Sequence, residues 1–226
     1  MLNQSPSARK KLGSFKSSFA RSYPEGPSSR LIDGFQLVGL PARLGWILES
    51  VHIFGVNHFL QCVAPNCWTP AGRAVEADQK AGLRAALQAI VIRNRVGLIA
   101  EEEKPGRRDL GAVLADEHHT AYIQLTMPIA ERERRGIRTP GYDRNPDSRA
   151  RAYQEFERYM FEQIALINAP VTLVICGRRH TAGLAHQFED AGVRARVYDV
   201  YDYDWYHGVP QEDGVNIVGY EREDEG

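Results

Sequence analysis

Two histidines follow short apolar segments, at positions where a side chain can bind a ligand or act as a base. His58 comes three residues after a glycine that ends the apolar run 51–54, and His180 comes three residues after a glycine that ends the run 171–176. In open α/β sheets, ligands bind outside the carboxyl ends of the strands. We therefore predict adjacent parallel strands over these two runs, with both imidazoles facing one pocket.

A third apolar run, 96–100, is followed by Glu101 and Glu102. Successive residues of a strand point to opposite faces, so at most one of these glutamates lies in line with the last buried residues of the strand. The spacing does not say which one enters the site, and either can instead begin a solvated, charged loop. Because carboxylates and neutral imidazoles are common ligands of divalent metals in hydrolytic enzymes, these residues are candidates for a metal site.

Arg158 is a candidate because of its place on a predicted helix over 150–167. It lies beside Glu157 and among apolar neighbours. An inward guanidinium would need a partner, since an unpaired buried charge is costly. Three roles stay open at this point: Arg158 holds a site carboxylate, binds an anionic group of the substrate, or reaches out to the surface.

Three other groups of residues have ordinary explanations. Cys62 and Cys67 lie in one loop but lack the tight spacing and the fourth ligand typical of structural zinc, which favours two loop cysteines. His118 and His119 fall near the end of a predicted helix, where histidines cap carbonyl groups. The segment 198–206 alternates aromatic and acidic residues, which is typical of either a partner-binding surface or an edge strand with a wet acidic face.

Apolar spacing along the chain predicts an α/β fold. The predicted helices cover 76–95, 109–119, 150–167 and 182–191, and the predicted strands cover 51–54, 96–100, 120–125, 171–176 and 195–200. The repeated order of strand, helix and strand favours a single domain with a mostly parallel sheet flanked by helices. The charged segment 131–150 is predicted to be a long excursion, either disordered or acting as a lid.

The two ends of the chain differ in composition from the rest. Residues 1–30 are basic and rich in Ser, Gly and Pro, which predicts a disordered tail, although transit peptides and nucleic-acid-binding arms share this composition. Residues 31–220 are predicted to form the domain. The acidic residues 221–226 are predicted to be a frayed end.

The composition of the whole chain excludes several classes of protein. The 226 residues carry a formal net charge of -1, from 28 basic and 29 acidic residues, so there is no overall positive field of the kind that a general nucleic-acid binder uses. No apolar stretch approaches the roughly 20 residues that span a bilayer. Three cysteines do not make a disulfide framework. We therefore expect a soluble, cytoplasmic protein.

The sequence also lacks a phosphate loop, a dinucleotide glycine fingerprint and a Gly-x-Ser-x-Gly nucleophile elbow.

The order of the motifs resembles a known superfamily. The matching features are Gly55-Val-Asn-His58, the strand ending in Glu101-Glu102, Glu157-Arg158 within a helix, and Cys176-Gly-Arg-Arg-His180. In this order they resemble the superfamily of TraB/PrgY, GumN and TIKI proteins, which includes ChaN-like haem-binding and erythromycin-esterase-like relatives. The resemblance covers roughly residues 50–200 and depends on order and spacing, because each motif is short.

The resemblance implies an α/β fold with a pocket that holds both histidines and, for TIKI-like members, a metal-dependent hydrolase that is often a peptidase. The site residues that it implies by position are His58, Glu101 or Glu102, Arg158 and His180. The sequence departs from the superfamily in three ways. The segment Leu125-Thr-Met-Pro lacks an acid expected of many relatives, the segment 131–150 is unusually rich in arginine, and the chain is shorter than most TraB or GumN proteins.

Residues and resemblance together predict a metal-dependent hydrolase. His58, His180 and one of the two glutamates would hold a divalent ion of unknown identity, the other glutamate would act as general base, and Arg158 would stabilise developing negative charge. The expected substrate is a small molecule or a peptide, with no specific nucleic-acid partner, and the sequence indicates no oligomeric state. Two alternatives stay open. One is a non-catalytic binder of haem or another small molecule, and the other is an interaction protein that recruits partners through its tail and its acidic aromatic segment.

Overall fold

Five parallel strands form the sheet at the centre of the fold. The computed structural model describes residues 47–61, 63, 69–102, 109–137, 145–210 and 216–217. Within these residues the strands are β1 (Ser50–Val56), β2 (Leu98–Glu101), β3 (Ala121–Gln124), β4 (Val171–Gly177) and β5 (Arg194–Asp199). Their order across the sheet is β3-β2-β4-β1-β5, and every neighbouring pair is parallel. The predicted α/β class with a mostly parallel sheet is confirmed.

Helices connect the strands. They are α1 (His58–Gln61), α2 (Pro70–Asn94), α3 (Leu110–His118), α4 (Ile129–Arg134), α5 (Pro146–Ile167) and α6 (Thr181–Asp190). Short 3₁₀ turns, Arg178–His180 and Val200–Asp202, follow β4 and β5. A separate antiparallel pairing joins β6 (Val209–Pro210) to β7 (Asn216–Ile217). None of the helices in the described part of the chain is both long and apolar enough to cross a membrane.

Both faces of the sheet are covered by apolar residues, which explains why the central strands are apolar at nearly every position. On one face, Phe54 and Ile175 pack with residues of α2 and α3. On the other face, Ile53 and Val174 pack with residues of α5 and α6. Successive strand residues point to opposite faces of the sheet. Ile53 and Phe54 of β1 therefore each place a fully buried side chain in a different core, and so do Val174 and Ile175 of β4.

The strand order places the carboxyl ends of β1, β2 and β4 side by side. Although β4 comes late in the chain, it lies between β1 and β2 and pairs with both. The connections that leave β1 and β2 run through α2 and α3 on one face, whereas the connection that leaves β4 runs through α6 on the other face. Such a reversal is a topological switch point, where open α/β sheets bind their ligands. Residues that directly follow these three strands are therefore placed to form a site.

The predicted helix over 76–95 is confirmed with an earlier start. It begins at Pro70, because Thr69 acts as its N-cap. The hydroxyl of Thr69 accepts a hydrogen bond from the backbone N–H of Gly72 at 3.2 Å. The helix ends at Asn94, and its C-cap Arg95 takes up a left-handed conformation with φ of 52°.

The predicted charged excursion over 131–150 is wrong at both ends. α4 covers its start, and α5, which begins at Pro146, covers its end. Charge supports the helical structure at the start, because Glu131 accepts hydrogen bonds from Arg134 at 2.8 and 2.6 Å and from Arg135 at 2.6 Å. Opposite charges three and four residues apart meet on one side of a helix.

The segment 198–206 turns aromatic side chains towards the core. Tyr198 and Tyr203 stack on Phe54, with ring centroids 6.0 and 5.5 Å away, while Asp202 is exposed. The segment begins in β5, which lies at an edge of the sheet. This arrangement favours an edge strand with a wet acidic face as the explanation of the alternating pattern.

Several predicted features have a simple outcome. His118 is the last residue of α3 and His119 is its left-handed C-cap, with φ of 53°, so both histidines lie at a helix end as predicted. The segments predicted as a tail over 1–30 and as a frayed end over 221–226 lie outside the described residues, as do Cys62, Cys67 and residues 138–144.

The start of α5 depends on Asn145, whose Oδ1 accepts hydrogen bonds from the backbone N–H groups of Asp147 at 2.9 Å and Ser148 at 3.4 Å. The substitution Asn145→Ala removes both bonds and should lower the free energy of unfolding by about 1 kcal/mol in urea denaturation. Asn145→Ser retains a side-chain acceptor and should lose much less. Equal losses in the two variants would contradict a capping role.

Candidate functional site

His58, Glu102 and His180 come together at the carboxyl edge of the sheet. His58 opens α1 just after β1, Glu102 directly follows β2, and His180 ends the 3₁₀ turn after β4. The Nε2 atom of His58 lies 3.9 Å from Oε2 of Glu102, and Nε2 of His180 lies 3.7 Å from Oε1 of the same carboxylate. The prediction that the two histidines follow adjacent parallel strands is confirmed. We call these three residues the His–Glu–His cluster.

The carboxylate of Glu102 is held at the end of β4 by Gly177. The backbone N–H of Gly177 donates to Oε2 of Glu102 at 2.8 Å, and the backbone N–H of Glu102 donates to the carbonyl oxygen of Ile175, also at 2.8 Å. A Cβ on Gly177 would lie only 2.7 Å from Nε2 of His58. A side chain at this position would push the His58 ring away, so the glycine lets His58 approach the carboxylate.

His180 is buried between two carboxylates. Its Nδ1 lies 3.4 Å from Oε1 of Glu157, on the side away from Glu102, and the ring of Tyr153 meets the imidazole edge-on at 5.3 Å. Burial lowers the pKa of His180, but the hydrogen bond to Glu157 and the negative charges of Glu102 and Glu157 outweigh it, so the pKa is raised above its usual 6.5. His180 is therefore the histidine that the site favours in its charged form.

His58 is oriented by Gln61, a residue that the sequence did not single out. Nδ1 of His58 lies 2.7 Å from Oε1 of Gln61. The amide nitrogen of Gln61 donates to the backbone carbonyl of Glu102 at 3.0 Å and to Oε1 of Glu101 at 3.4 Å. The side chain of His58 is 37% exposed, so it is the most accessible member of the cluster.

Glu101 is fully buried and lies behind the cluster, so Glu102 is the glutamate that reaches the two histidines. Oε2 of Glu101 accepts hydrogen bonds from the backbone N–H of Gly111 at 2.9 Å and from the hydroxyl of Tyr122 at 3.3 Å. Burial raises the pKa of Glu101 to about 8, and the nearby charge of Asp109 adds to the effect. Glu101 is therefore mainly protonated at neutral pH and supports the site from behind.

Arg158 is not brought to the cluster, and of the three roles left open for it the structure favours the last, in which the side chain reaches the surface. Its side chain is 54% exposed, and its Nε pairs with Glu162 at 3.4 Å. The preceding residue, Glu157, is the buried one and faces His180. Helical spacing explains why Glu157 is buried. It is three residues before the buried Met160, so both lie on the inner side of α5.

The described residues do not include a ready-made metal site. No group of three or more His, Cys, Asp and Glu side chains among them is arranged to hold a metal ion. His58, His180 and Glu102 carry donor atoms of the right chemistry, but they do not meet that arrangement. The predicted divalent ion stays a prediction, and the chemistry proposed below uses side chains alone.

Comparisons with known proteins find no relative of this chain. No family model matches it, and neither the curated proteins nor the solved structures contain a match. The resemblance to TraB/PrgY, GumN and TIKI proteins therefore stays a prediction.

The raised pKa of Glu101 makes stability depend on pH. Its pKa is 4.5 in the unfolded chain and about 8 in the folded protein, so the folded state binds the proton more tightly. The stability that this proton contributes is fully present below pH 4.5 and is lost as pH rises through 8. Glu101→Gln cannot lose this contribution, because the amide does not ionise.

We compare the free energy of unfolding of Glu101→Gln with that of the original protein at about pH 5 and at about pH 8. Between the two pH values the variant should gain on the order of 3 kcal/mol relative to the original protein. Urea denaturation at the two pH values measures it. The cost of changed hydrogen bonds in the variant is common to both conditions. A difference that stays constant with pH would contradict the buried, protonated state of Glu101.

Proposed function

We propose that this protein is a hydrolase that activates a water molecule at the His–Glu–His cluster. The observation that carries the proposal is the approach of two histidines, delivered by separate strands, to the two oxygens of one carboxylate. The cluster lies at the switch point of the sheet, where ligands bind in this kind of fold. One of its histidines is partly exposed and the other is buried, which allows the two to have different roles.

His58 is the general base of the proposed reaction. Its Nδ1 faces an amide oxygen, so the neutral ring carries its proton there and leaves the Nε2 lone pair directed towards Glu102. The 3.9 Å between Nε2 of His58 and Oε2 of Glu102 is too long for a hydrogen bond but suits a bridging water. Nε2 takes a proton from this water as its oxygen attacks, and then returns that proton to the leaving group.

His180 supplies positive charge to the reaction. Its raised pKa favours the imidazolium, with Glu157 on one nitrogen and Glu102 on the other. Oε2 of Glu102, which lies on the His58 side of the carboxylate, can accept the second hydrogen of the water. The positive charge of His180 offsets the negative charge that develops during attack.

The expected substrate is a small molecule or a peptide with an ester, amide or phosphodiester bond. The purified full chain should be assayed on a chromogenic panel of these three bond types. We expect His58→Gln and Glu102→Gln each to lower kcat by at least about 100-fold on the substrate that is turned over. Their melting temperatures should stay near that of the original protein, because both residues follow strands and lie outside the apolar cores.

His186→Gln is the matched control, because His186 is an exposed histidine of α6 that pairs with Asp190. It should leave turnover unchanged. Full turnover in folded His58→Gln or Glu102→Gln would contradict the proposal, as would the absence of hydrolysis across the panel.

Two further measurements on the same proteins separate the alternatives. Assays with added Zn²⁺ or Mn²⁺ and with a chelator test the predicted ion: metal-dependent turnover, with metal lost from His58→Gln and His180→Gln, would support metal catalysis. A haem titration followed by absorbance tests the ligand-binding alternative. Haem binding without hydrolysis would favour a non-catalytic binder.

A further inference from the structure

Gln61 is a buried side chain with a defined set of partners behind His58. It is 2% exposed and ends the four-residue helix α1. We propose that Gln61 is a positioning residue that fixes His58 as the tautomer protonated on Nδ1, so that its Nε2 lone pair faces Glu102. This inference rests on the proposed function, because His58 can act as a base only through that lone pair.

The orientation of the Gln61 amide follows from its partners. The backbone carbonyl oxygen of Glu102, 3.0 Å from the amide nitrogen, can only accept a hydrogen bond. The NH₂ group must therefore face Glu102, since the reverse orientation would bring two carbonyl oxygens together. The amide oxygen is left to face His58 at 2.7 Å, and it can only accept a hydrogen bond from the Nδ1–H group.

Glu101 anchors the other side of the Gln61 amide. Its Oε1 accepts from the NH₂ group at 3.4 Å, and its Oε2 is held by Gly111 and Tyr122. A Cβ on Gly111 would collide with the Glu101 carboxyl group, so the glycine makes room for it. A chain of hydrogen bonds thus runs from Tyr122 in β3 through Glu101 and Gln61 to the base.

A purely structural role for Gln61 would predict a loss of stability without a change in the His58 ring. The tautomer of His58 therefore distinguishes a positioning role from a purely structural one. Two-bond ¹H–¹⁵N NMR of the full-length protein, labelled with ¹⁵N at histidine, shows directly which ring nitrogen carries the proton. The measurement is made without substrate at a pH where the ring is neutral. It therefore stands whether or not hydrolysis is found, and a failure of the proposed function is distinguishable from a failure of this inference.

In the original protein we expect neutral His58 to be protonated on Nδ1. Gln61→Met removes the acceptor at nearly constant size, and the ring should shift to the Nε2–H tautomer that an unconstrained imidazole favours. If hydrolysis is found, this variant should lower kcat by roughly 10- to 100-fold with KM little changed. Gln61→Glu keeps an acceptor for Nδ1 and should keep the Nδ1–H tautomer, with its second carboxyl oxygen protonated so that it donates to the Glu102 carbonyl.

Gln79→Met is the matched control, because Gln79 is a fully buried glutamine of α2 whose Oε1 accepts from the backbone of His207. It should leave the His58 tautomer and kcat unchanged. Two results would overturn the inference: an Nε2–H tautomer in the original protein, or an unchanged Nδ1–H tautomer in folded Gln61→Met. If Gln61→Met does not fold, the original protein and Gln61→Glu decide the question, since both must show the Nδ1–H tautomer.

Discussion

The site depends on one hydrogen bond, from the backbone N–H of Gly177 to the carboxylate of Glu102. It fixes an acid from β2 at the end of β4, where His180 reaches one oxygen and His58 approaches the other. The bond forms because β4 lies beside β2, and the missing Cβ at residue 177 lets the His58 ring approach the carboxylate without shifting. Backbone geometry thus places the cluster, and the side chains around it set its protonation.

The position of β4 in the sheet is the constraint behind this arrangement. If the strands followed each other in chain order, the ends of β1 and β4 would be separated by other strands, and the histidines that follow them could not share a carboxylate. Inserting β4 between β1 and β2 brings all three carboxyl ends together. It also directs the connections from these strands to opposite faces, and such a reversal marks the place where open α/β sheets bind their ligands.

Sequence reasoning predicted the parts that depend on local pattern. The strands before His58 and His180 are apolar because both faces of the sheet are covered, and such apolar runs can be recognised in the sequence. The sequence does not decide between Glu101 and Glu102, because the decision depends on packing between distant residues. Gly111 of α3 leaves the space in which the Glu101 carboxyl group is buried. The apolar sequence neighbours of Arg158 do not decide which side of the helix it lies on, and helical spacing points Glu157 inwards instead. Gln61 carries no motif, and only its contacts across the fold reveal it.

The pKa of His180 tests the convergence of the cluster most directly, because Glu102 reaches this ring only if β2 and β4 lie together. NMR titration of His180 should be made in the original protein, in Glu102→Gln and in Glu157→Gln. We expect a pKa above 6.5 in the original protein and a lower pKa in each variant, since each removes one of the charges that raise it. A pKa at or below 6.5 in the original protein, or one that does not respond to Glu102→Gln, would contradict the account.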